Sequence, residues 1–403
     1  MIIFEKREDC CGCSACYNVC PKEAIRMNGD REGFFYPQID DDRCIGCGLC
    51  KKVCSFQYYS DTKHYYEQKY FAMRSKSPQV LNESSSGGMF SVLSDIILAQ
   101  AGVVCGVIFD SQFMVKTIAT DQKEERDKMR GSKYVQSNLG DIFKDIEKLL
   151  KENRKVMFVG APCQTASLKE YLGVKAVSVE NLFLCDFICH GVSSPLMWKE
   201  YLEFLEKTFH SGLKEVRFRS KHYGWKNMKM RIVTYKEDKS EFCNKRHSYL
   251  KLYNSLMITR PSCFSCRYTS FNRETDITLA DFWNVGGVCP EFDDNKGIST
   301  VLINTKKGEQ WIESVKDRID FQEVSKADCW QPHLEYSAVW PANRNKFWQE
   351  YNQKGFSFVL NKYGKGTLTN NIIRALTPVI KKMGLYVVAG KVYKQVFGRK
   401  KNG

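Results

Sequence analysis

No uninterrupted apolar run in this chain of 403 residues is long enough to cross a bilayer. The nearest candidate, Met89 to Phe109, is broken by Asp95, Gln100 and Gly102, and it reads as a buried helix running into a strand. The opening residues, MIIFEKREDC, have neither a basic segment nor an apolar centre, so they do not read as a secretory leader. No G-x-G-x-x-G occurs, which removes support for a Rossmann dinucleotide site. Acidic residues are missing from Asn361 to Gly403, where ten Lys/Arg stand, so the formal net charge of +15 leaves only +5 for the rest. Clusters held by thiolates lower that further. A nucleic-acid partner needs a basic body and is therefore not expected.

What is plentiful is cysteine, eighteen in all. With no leader in view and the cysteines bunched at metal-ligand spacings, a reducing, cytoplasmic location is expected. Hydrophobic content of 43% and charged content of 27% are ordinary for a globular protein, so disorder is not the default.

One internal repeat stands out. Cys10-x2-Cys13-x2-Cys16-x3-Cys20 recurs 34 residues later as Cys44-x2-Cys47-x2-Cys50-x3-Cys54. A C-x2-C-x2-C loop wraps three thiolates around one face of an iron–sulfur cubane, and in two-cluster ferredoxins the fourth cysteine of each run serves the other cluster. One [4Fe–4S] cluster is thus expected on Cys10, Cys13, Cys16 and Cys54, and a second on Cys44, Cys47, Cys50 and Cys20. Pro21 follows Cys20 as the pattern requires, while Ser55 replaces the proline after Cys54. Gly12, Gly46 and Gly48 let backbone N–H groups approach the inorganic sulfurs. Cys11 is out of phase and is not expected to be a ligand. Paired C-x2-C motifs also build zinc sites, but those use two pairs of cysteines rather than two interlocked runs of four.

The organisation follows from this. Residues 1–57 read as an α+β ferredoxin module, 58–69 as a linker, 70–345 as a larger α/β domain with a mixed sheet, and 346–403 as a basic helical tail. Within the large domain the signals alternate. Strands are expected at Phe71–Arg74, Val103–Phe109, Val156–Val159 and Ala176–Asp186, and helices at Gly87–Gln100, Asn138–Glu152 and Cys163–Tyr171. Leu213–Arg219 and Met228–Tyr235 resemble a hairpin, and Gly366–Lys401 reads as basic amphipathic helices.

Beyond the ferredoxin, motifs in order over about half the chain resemble the coenzyme F-420 hydrogenase/dehydrogenase beta-subunit family. They are Ser84-Ser-Ser-Gly-Gly-Met-Phe90, Gly131-Ser-Lys-Tyr-Val135, Gly160-Ala-Pro-Cys-Gln164 and Asp186-Phe-Ile-Cys-His-Gly191. Arg260-Pro-Ser-Cys-Phe-Ser-Cys266 and Asp276-Ile-Thr-Leu-Ala-Asp-Phe-Trp283 complete the series. The resemblance implies a flavoprotein with FAD and one further [4Fe–4S] cluster, reducing a deazaflavin or another acceptor. The residues agree on the metal: Cys263-x2-Cys266 is half a site and needs two more soft ligands. Cys163 and Cys189 sit at strand ends, where α/β sheets place ligands. Matching the family motifs gives Cys163, Cys189, Cys263 and Cys266. Cys185, Cys289 and Cys329 are rivals, Cys289-Pro290 the strongest, and a small core hydrophobe is the plainer reading of Cys105, Cys185 and Cys243.

For the flavin, the family match points to Ser86, Gly87 and Gly88, opening a helix whose positive end suits a diphosphate, with Lys133 as countercharge. A Ser/Gly-rich helix cap without a ligand is the competing reading. His190 is the one candidate for a proton relay, against a simple hydrogen bond to backbone. Asp281 and Trp283 are expected to shape the site. Arg219, Lys221, Lys226, Lys229 and Arg231, with Tyr223 and Trp225, form either a substrate surface or a solvated hairpin. The apolar stripe of the tail, Ile372, Ile373, Leu376, Val379 and Ile380, either touches anionic lipid as a peripheral membrane contact or docks on the body.

The expected function is electron passage between ferredoxin clusters and FAD, with hydride exchange to an organic substrate. A non-catalytic electron-transfer subunit feeding a partner enzyme is the alternative. Either way the partner is a redox protein or a small-molecule electron donor or acceptor.

Overall fold

The computed structural model describes residues 3–57, 66–236 and 249–364. Most of the expected linker (58–65), Cys243 and the basic tail from residue 365 lie outside the described residues.

In the cysteine-rich front the repeat is written into the backbone. Gly12 and Gly46 take left-handed φ of 70° and 69°, and Ser14 and Gly48, two residues further on in each run, follow at 61° and 75°. Such steps turn successive N–H groups to one side and make a concave, anion-favouring surface. Ser14 and Gly48 then open the short helices Ala15–Val19 and Leu49–Lys52. Between the halves β1 (Ile25–Gly29) pairs antiparallel with β2 (Phe35–Ile39), Ile25 facing Ile39. Asp30 closes their turn, its Oδ1 accepting from the N–H groups of Glu32 and Phe34 at 2.9 and 3.0 Å. Gly33 in this turn has φ 78° and abuts Leu196, so both the backbone and the space require glycine.

The body is built on an eight-stranded mixed sheet. Its strands are β3 (Lys69–Ser75), β4 (Val103–Phe109), β5 (Val115–Thr120), β6 (Val156–Val159) and β7 (Leu182–Phe187). After a separate antiparallel hairpin of β8 (Leu213–Ser220) and β9 (Lys229–Thr234) come β10 (Ile277–Asp281), β11 (Ser299–Ile303) and β12 (Ile319–Glu323). The order across the sheet is β12-β3-β11-β10-β7-β6-β4-β5. The four central strands β10, β7, β6 and β4 run parallel, and antiparallel pairings flank them. Alternate residues feed opposite faces, as the period of a strand requires. Val103, Cys105, Val156 and Phe158 meet Phe143, Ile146, Leu168 and Tyr171 on one face. Val104, Met157, Cys185 and Ile277 meet Met89, Leu93 and Trp311 on the other. Each such apolar side chain contributes about 1.5–3 kcal/mol by leaving water. A third core gathers Trp198, Phe218 and Tyr249 around the hairpin.

Two expectations need redrawing. The strand read as Ala176–Asp186 starts only at Leu182, because Ala176 turns left-handed at φ 52° after the helix Pro162–Val174. The segment read as the start of the tail is instead the helix Arg344–Tyr363. It buries Phe347, Trp348, Phe356, Val359 and Leu360 in the same core as Trp198, so the body continues to the end of the described residues.

The ferredoxin front is docked on the body. Ala15, Val19 and Val53 share a core with Leu139, Phe143 and Leu168, Asn18 Nδ2 donates to the Gly140 carbonyl at 2.9 Å, and the Ser55 and Ser167 hydroxyls meet at 2.7 Å.

Candidate metal centres and cofactor recess

Cys10, Cys13, Cys16 and Cys54 line one cavity, together with Cys11, Gly12, Pro37 and Phe56. Cys20, Cys44, Cys47 and Cys50 line another, with Pro21, Ile25 and Gly48. The groupings are those the interlocked spacing predicts. Cys20 Sγ accepts from the Ala24 N–H at 3.3 Å and Cys54 Sγ from Gln57 Nε2 at 3.5 Å. Burial and the neighbouring cysteines push the Cys13 and Cys16 thiols well above their ordinary range: Cys11 leads at Cys13 and burial at Cys16, although local hydrogen bonds pull the other way. Four thiolates crowded into apolar surroundings need a cationic guest, and soft sulfur donors select iron–sulfur clusters, zinc or copper(I). Among the described residues no three cysteine, histidine or carboxylate groups converge on a point as a single-ion site requires. A cubane asks for less, since each thiolate meets a different iron corner.

The third set is assembled from the sheet. Cys163 opens the helix after β6, Cys189 follows β7, and Cys263 and Cys266 lie in and just after the turn Pro261–Ser265. Because β6 and β7 are parallel neighbours, their C-terminal ends deliver Cys163 and Cys189 to the same edge. Gly191, at φ 98°, lets Cys263 approach; a Cβ there would stand 3.4 Å from that of Cys263. The Gly191 N–H donates to Cys189 Sγ at 3.4 Å. Burial, followed by mutual repulsion, pushes the Cys189 and Cys263 thiols up to about 12, and Cys163 feels all three others. The rivals lie elsewhere: Cys185 is in the core beneath Met73, and Cys289 and Cys329 share an apolar cluster with Trp225 and Phe282. Cys105 is a core residue, as expected.

Two arginines serve these cysteines. Arg260, fully buried, donates through Nε to the Cys10 carbonyl at 2.9 Å, through Nη1 to Gln136 Oε1 at 2.9 Å and through Nη2 to the Phe35 carbonyl at 3.1 Å. Its Nη2 lies 3.7 Å from Cys10 Sγ, and its charge also reaches Cys263. Arg273 and Asp186 form a pair at 3.4 Å, each only 2% exposed, beside Cys189. Arg273 Nε and Nη2 and Asp186 Oδ1 make no hydrogen bond among the described residues. Arg267, by contrast, sits outside and donates to the Gln57 carbonyl at 3.0 Å.

Beyond Cys189 the ends of the parallel strands meet a cluster of charged and aromatic side chains. His190 is open to solvent just past the end of β7. The His333 ring centroid is 4.4 Å away, and the charges of Asp281 and Arg219 are felt there too. Arg219 grips Asp281 with two hydrogen bonds at 2.6 and 2.9 Å, Trp225 Nε1 donates to the same carboxylate at 3.1 Å, and Trp225 stacks on Trp283 at 5.0 Å. The Ser84–Gly88 and Gly131–Lys133 loops meet where Ser85 Oγ accepts from the Ser132 N–H at 2.9 Å. Gly88, at φ 81°, opens the helix Met89–Ala99, while Gly87 is wedged against β3 and β11 with its N–H on Ser299 Oγ at 3.0 Å, and Ser86 Oγ donates to the Ile298 carbonyl at 2.7 Å. Lys133 Nζ reaches four carbonyls between Lys128 and Gly131 at 3.2–3.3 Å, and burial pulls its ammonium down to about 7. The hairpin cations divide. Arg219 and Lys221 point inward, Lys221 onto the carbonyls of Leu81, Ser86 and Lys296, while Lys226, Lys229 and Arg231 stay at the surface beside Asp293, Tyr223 and Glu215.

Residues 153–327 match the family model for the C terminus of the coenzyme F-420 hydrogenase/dehydrogenase beta subunit, and residues 9–58 that of the 4Fe-4S dicluster domain. Residues 153–327 thus carry the C-terminal region of this beta-subunit family, and residues 9–58 the dicluster domain. Over 339 residues it is 27% identical to a coenzyme F-420-dependent sulfite reductase of Methanocaldococcus jannaschii, a match taking in 79% of this chain and 48% of that protein. It thus spans about half the length of that curated relative. The front is 42% identical over 52 residues to a pyruvate synthase subunit of Thermotoga maritima, 13% of this chain and 48% of that one. Among solved structures, the F-420-reducing NiFe hydrogenase complex from Methanosarcina barkeri aligns with 74% of this chain and 92% of its own at 16% identity and a TM-score of 0.44. The beta-subunit family region thus holds Cys163, Cys189, Cys263, Cys266, His190, Arg219 and Asp281, and the dicluster region holds the eight front cysteines. No helix among the described residues is long and apolar enough to cross a membrane. In and around the family region, sequence reasoning missed Arg273 and His333, and gave Asp186 a place in a motif but no role. A charged residue shows its burial only once its strand is placed in the sheet. The Cys10-Cys11 doublet was the one visible sign of what lies between the centres.

Proposed function

We propose that this chain is an iron–sulfur flavoprotein oxidoreductase. In this reading each of the three cysteine sets holds a [4Fe–4S] cluster and the charged and aromatic side chains beyond Cys189 receive FAD. The observation that carries it is the continuity of the sets. Cys47 stands at the surface, and Cys20 and Cys50 share an apolar cluster with Cys16. Cys13 and Cys54 share another with Cys163 and Cys266, and Cys189 leads directly to His190. A flavin supplies the exchange between single electrons and a hydride. The chain's own residues do the rest: Arg260 and Arg273 offset accumulating negative charge, the apolar clusters exclude water between centres, and Asp281 fixes Arg219, Trp225 and Trp283 as one wall. The loop at Ser86–Gly88 and Lys133 then receive the anionic part of the cofactor. We take a deazaflavin coenzyme as the first organic acceptor or donor to test, because the relatives' names carry it.

Anaerobic preparation followed by iron, sulfide and flavin analysis tests the scheme. About twelve iron and about one FAD per chain are expected. About eight iron without flavin removes the body cluster and the flavin site from the scheme, and a colourless preparation without acid-labile sulfide removes all of it. A second reading, an electron-transfer subunit without its own substrate, draws support from the chain's spanning half of the sulfite reductase relative. Stopped-flow reduction of the bound flavin by candidate donors in the absence of a partner separates the two.

The proposed flavin site also carries a pH expectation. Lys133, held down to about 7 by burial, is charged below that pH and neutral above it. Attraction for a diphosphate needs the charged form, so flavin affinity falls as pH rises from about 6 to about 8. Titration of apoprotein with FAD by fluorescence measures it, and Lys133→Met should flatten the profile; a wild-type affinity independent of pH contradicts this role.

A further inference from the structure

Between the front and the body lies a residue that neither the repeat nor the third set claims. Cys11 is buried, 9% exposed, lines the same cavity as Cys10, Cys13, Cys16 and Cys54, and its thiol is perturbed by those of Cys13 and Cys163. It forms an apolar cluster with Phe56, Ala166 and Tyr268, and Cys13, Cys54, Cys163 and Cys266 pack against that cluster. Two residues from the first front set and two from the body set thus meet around one small cluster that contains this thiol. Its backbone is pinned as well: the Cys11 carbonyl accepts from Gln136 Nε2 at 3.3 Å, and Gln136 is itself held by Arg260, which also holds the Cys10 carbonyl.

The repeat supplies an internal comparison. The residue 34 positions on, Ile45, fills the same slot in the second run and is 60% exposed. The slot therefore points outward at one end of the module and into the body at the other, and a sulfur occupies it only where a second cysteine set faces it.

We propose that Cys11 is a positioning residue that couples the first front cluster to the body cluster, its single S–H being shared between Cys13 and Cys163. A thiol carries one donor, so it serves one ligand sulfur at a time. Hydrogen bonds to cluster sulfurs raise the reduction potential, because they favour the more negative, reduced form. The proton turned toward Cys13 favours an electron on the first cluster, and turned toward Cys163 it favours the body cluster. One electron leaves one cubane and enters the other; Cys11 keeps its proton and is neither oxidised nor reduced. This inference rests on the three-cluster reading above.

The test uses the full chain with its clusters, in wild type, Cys11→Ala and Cys11→Ser. Iron content is measured first, then each cluster's midpoint by redox titration followed by electron paramagnetic resonance. Cys11→Ala should keep all its iron and lower the midpoint of one or both adjacent clusters. The expected change is up to about tenfold in the one-electron equilibrium, about 59 mV, with no change at the outer cluster. Cys11→Ser, which keeps a donor, should restore most of the shift. Unchanged midpoints in Cys11→Ala overturn the proposal, and so does loss of about four iron, which would make Cys11 a ligand. Wild type with only about eight iron overturns the three-cluster reading itself, and is recognised before any variant is compared.

Discussion

Glu32→Ala is expected to destabilise the protein by about 3–5 kcal/mol, the range for breaking a buried ion pair from one side. Glu32 is 2% exposed and lies between Arg344, at 2.5 Å, and Arg7, at 2.8 Å. Arg344 is 1% exposed and loses its carboxylate in the variant, keeping the Thr259 carbonyl at 2.8 Å and the Trp340 ring, 4.8 Å away, but no counter-charge from Glu32. The pair joins the front hairpin to the helix Arg344–Tyr363, so the loss falls on the docking of the module as much as on the module itself. Burial alone raises the Glu32 carboxyl, but the hydrogen bonds and charges of Arg344 and Arg7 outweigh it and hold the group below its ordinary value. A carboxyl lowered in the folded state gives stability that is fully present above the unfolded value of 4.5 and is lost as pH falls through the lower folded value. Urea unfolding followed by circular dichroism at about pH 7 and about pH 4 measures both effects. A wild-type-like midpoint for Glu32→Ala at the higher pH rules out this account. Glu32→Gln, which keeps the shape, should lose less.

Cys163→Ala should remove the body cluster and leave the front pair, taking iron from about twelve to about eight per chain. Cys189→Ala should do the same, because the two thiols reach one edge from neighbouring parallel strands. Cys185→Ala is the control: its thiol is in the core with Met73 and Ile277, so iron should stay at the wild-type level while stability drops. Iron and sulfide assays on anaerobically prepared protein decide it. Full iron in Cys163→Ala, or equal loss in Cys185→Ala, would assign the third set to other cysteines.

The front module is legible in the sequence because its cysteines are local. Three cysteines within seven residues mark a loop, and the 34-residue repeat marks its twin. The strands Val103–Phe109 and Val156–Val159 are equally plain, being short apolar runs between polar turns. Other features depend on contacts remote in sequence. Glu32 and Arg344 are 312 residues apart, and neither shows in its own neighbourhood that it will be buried. The helix Arg344–Tyr363 looks like the start of a tail because its charges are mostly basic, with Glu350 the one acid, and it carries Gly355, which is non-helical at φ 77°. Its apolar residues are spaced for a core that only the helix Pro195–Phe209 and the hairpin complete. The strand Leu182–Phe187 reads as longer than it is because Val177 and Val179 are apolar, yet Val179 is 42% exposed and precedes the strand. Around His190 the motif order is readable, but the inward turn of Arg219, Lys221 and Trp225 follows from Asp281 and from backbone carbonyls far along the chain, which a solvated hairpin would not need.

The front hairpin and its two loops repeat one pattern, and taken alone they would be near twins. Docking makes them unequal. One twin receives a guanidinium, a glutamine and a serine from the body, while the other keeps a bare isoleucine and a wetted thiol facing outward. On the three-cluster reading, identical coordination in unlike surroundings gives unlike redox levels, so what repetition made a pair, association with a larger neighbour turns into a gradient.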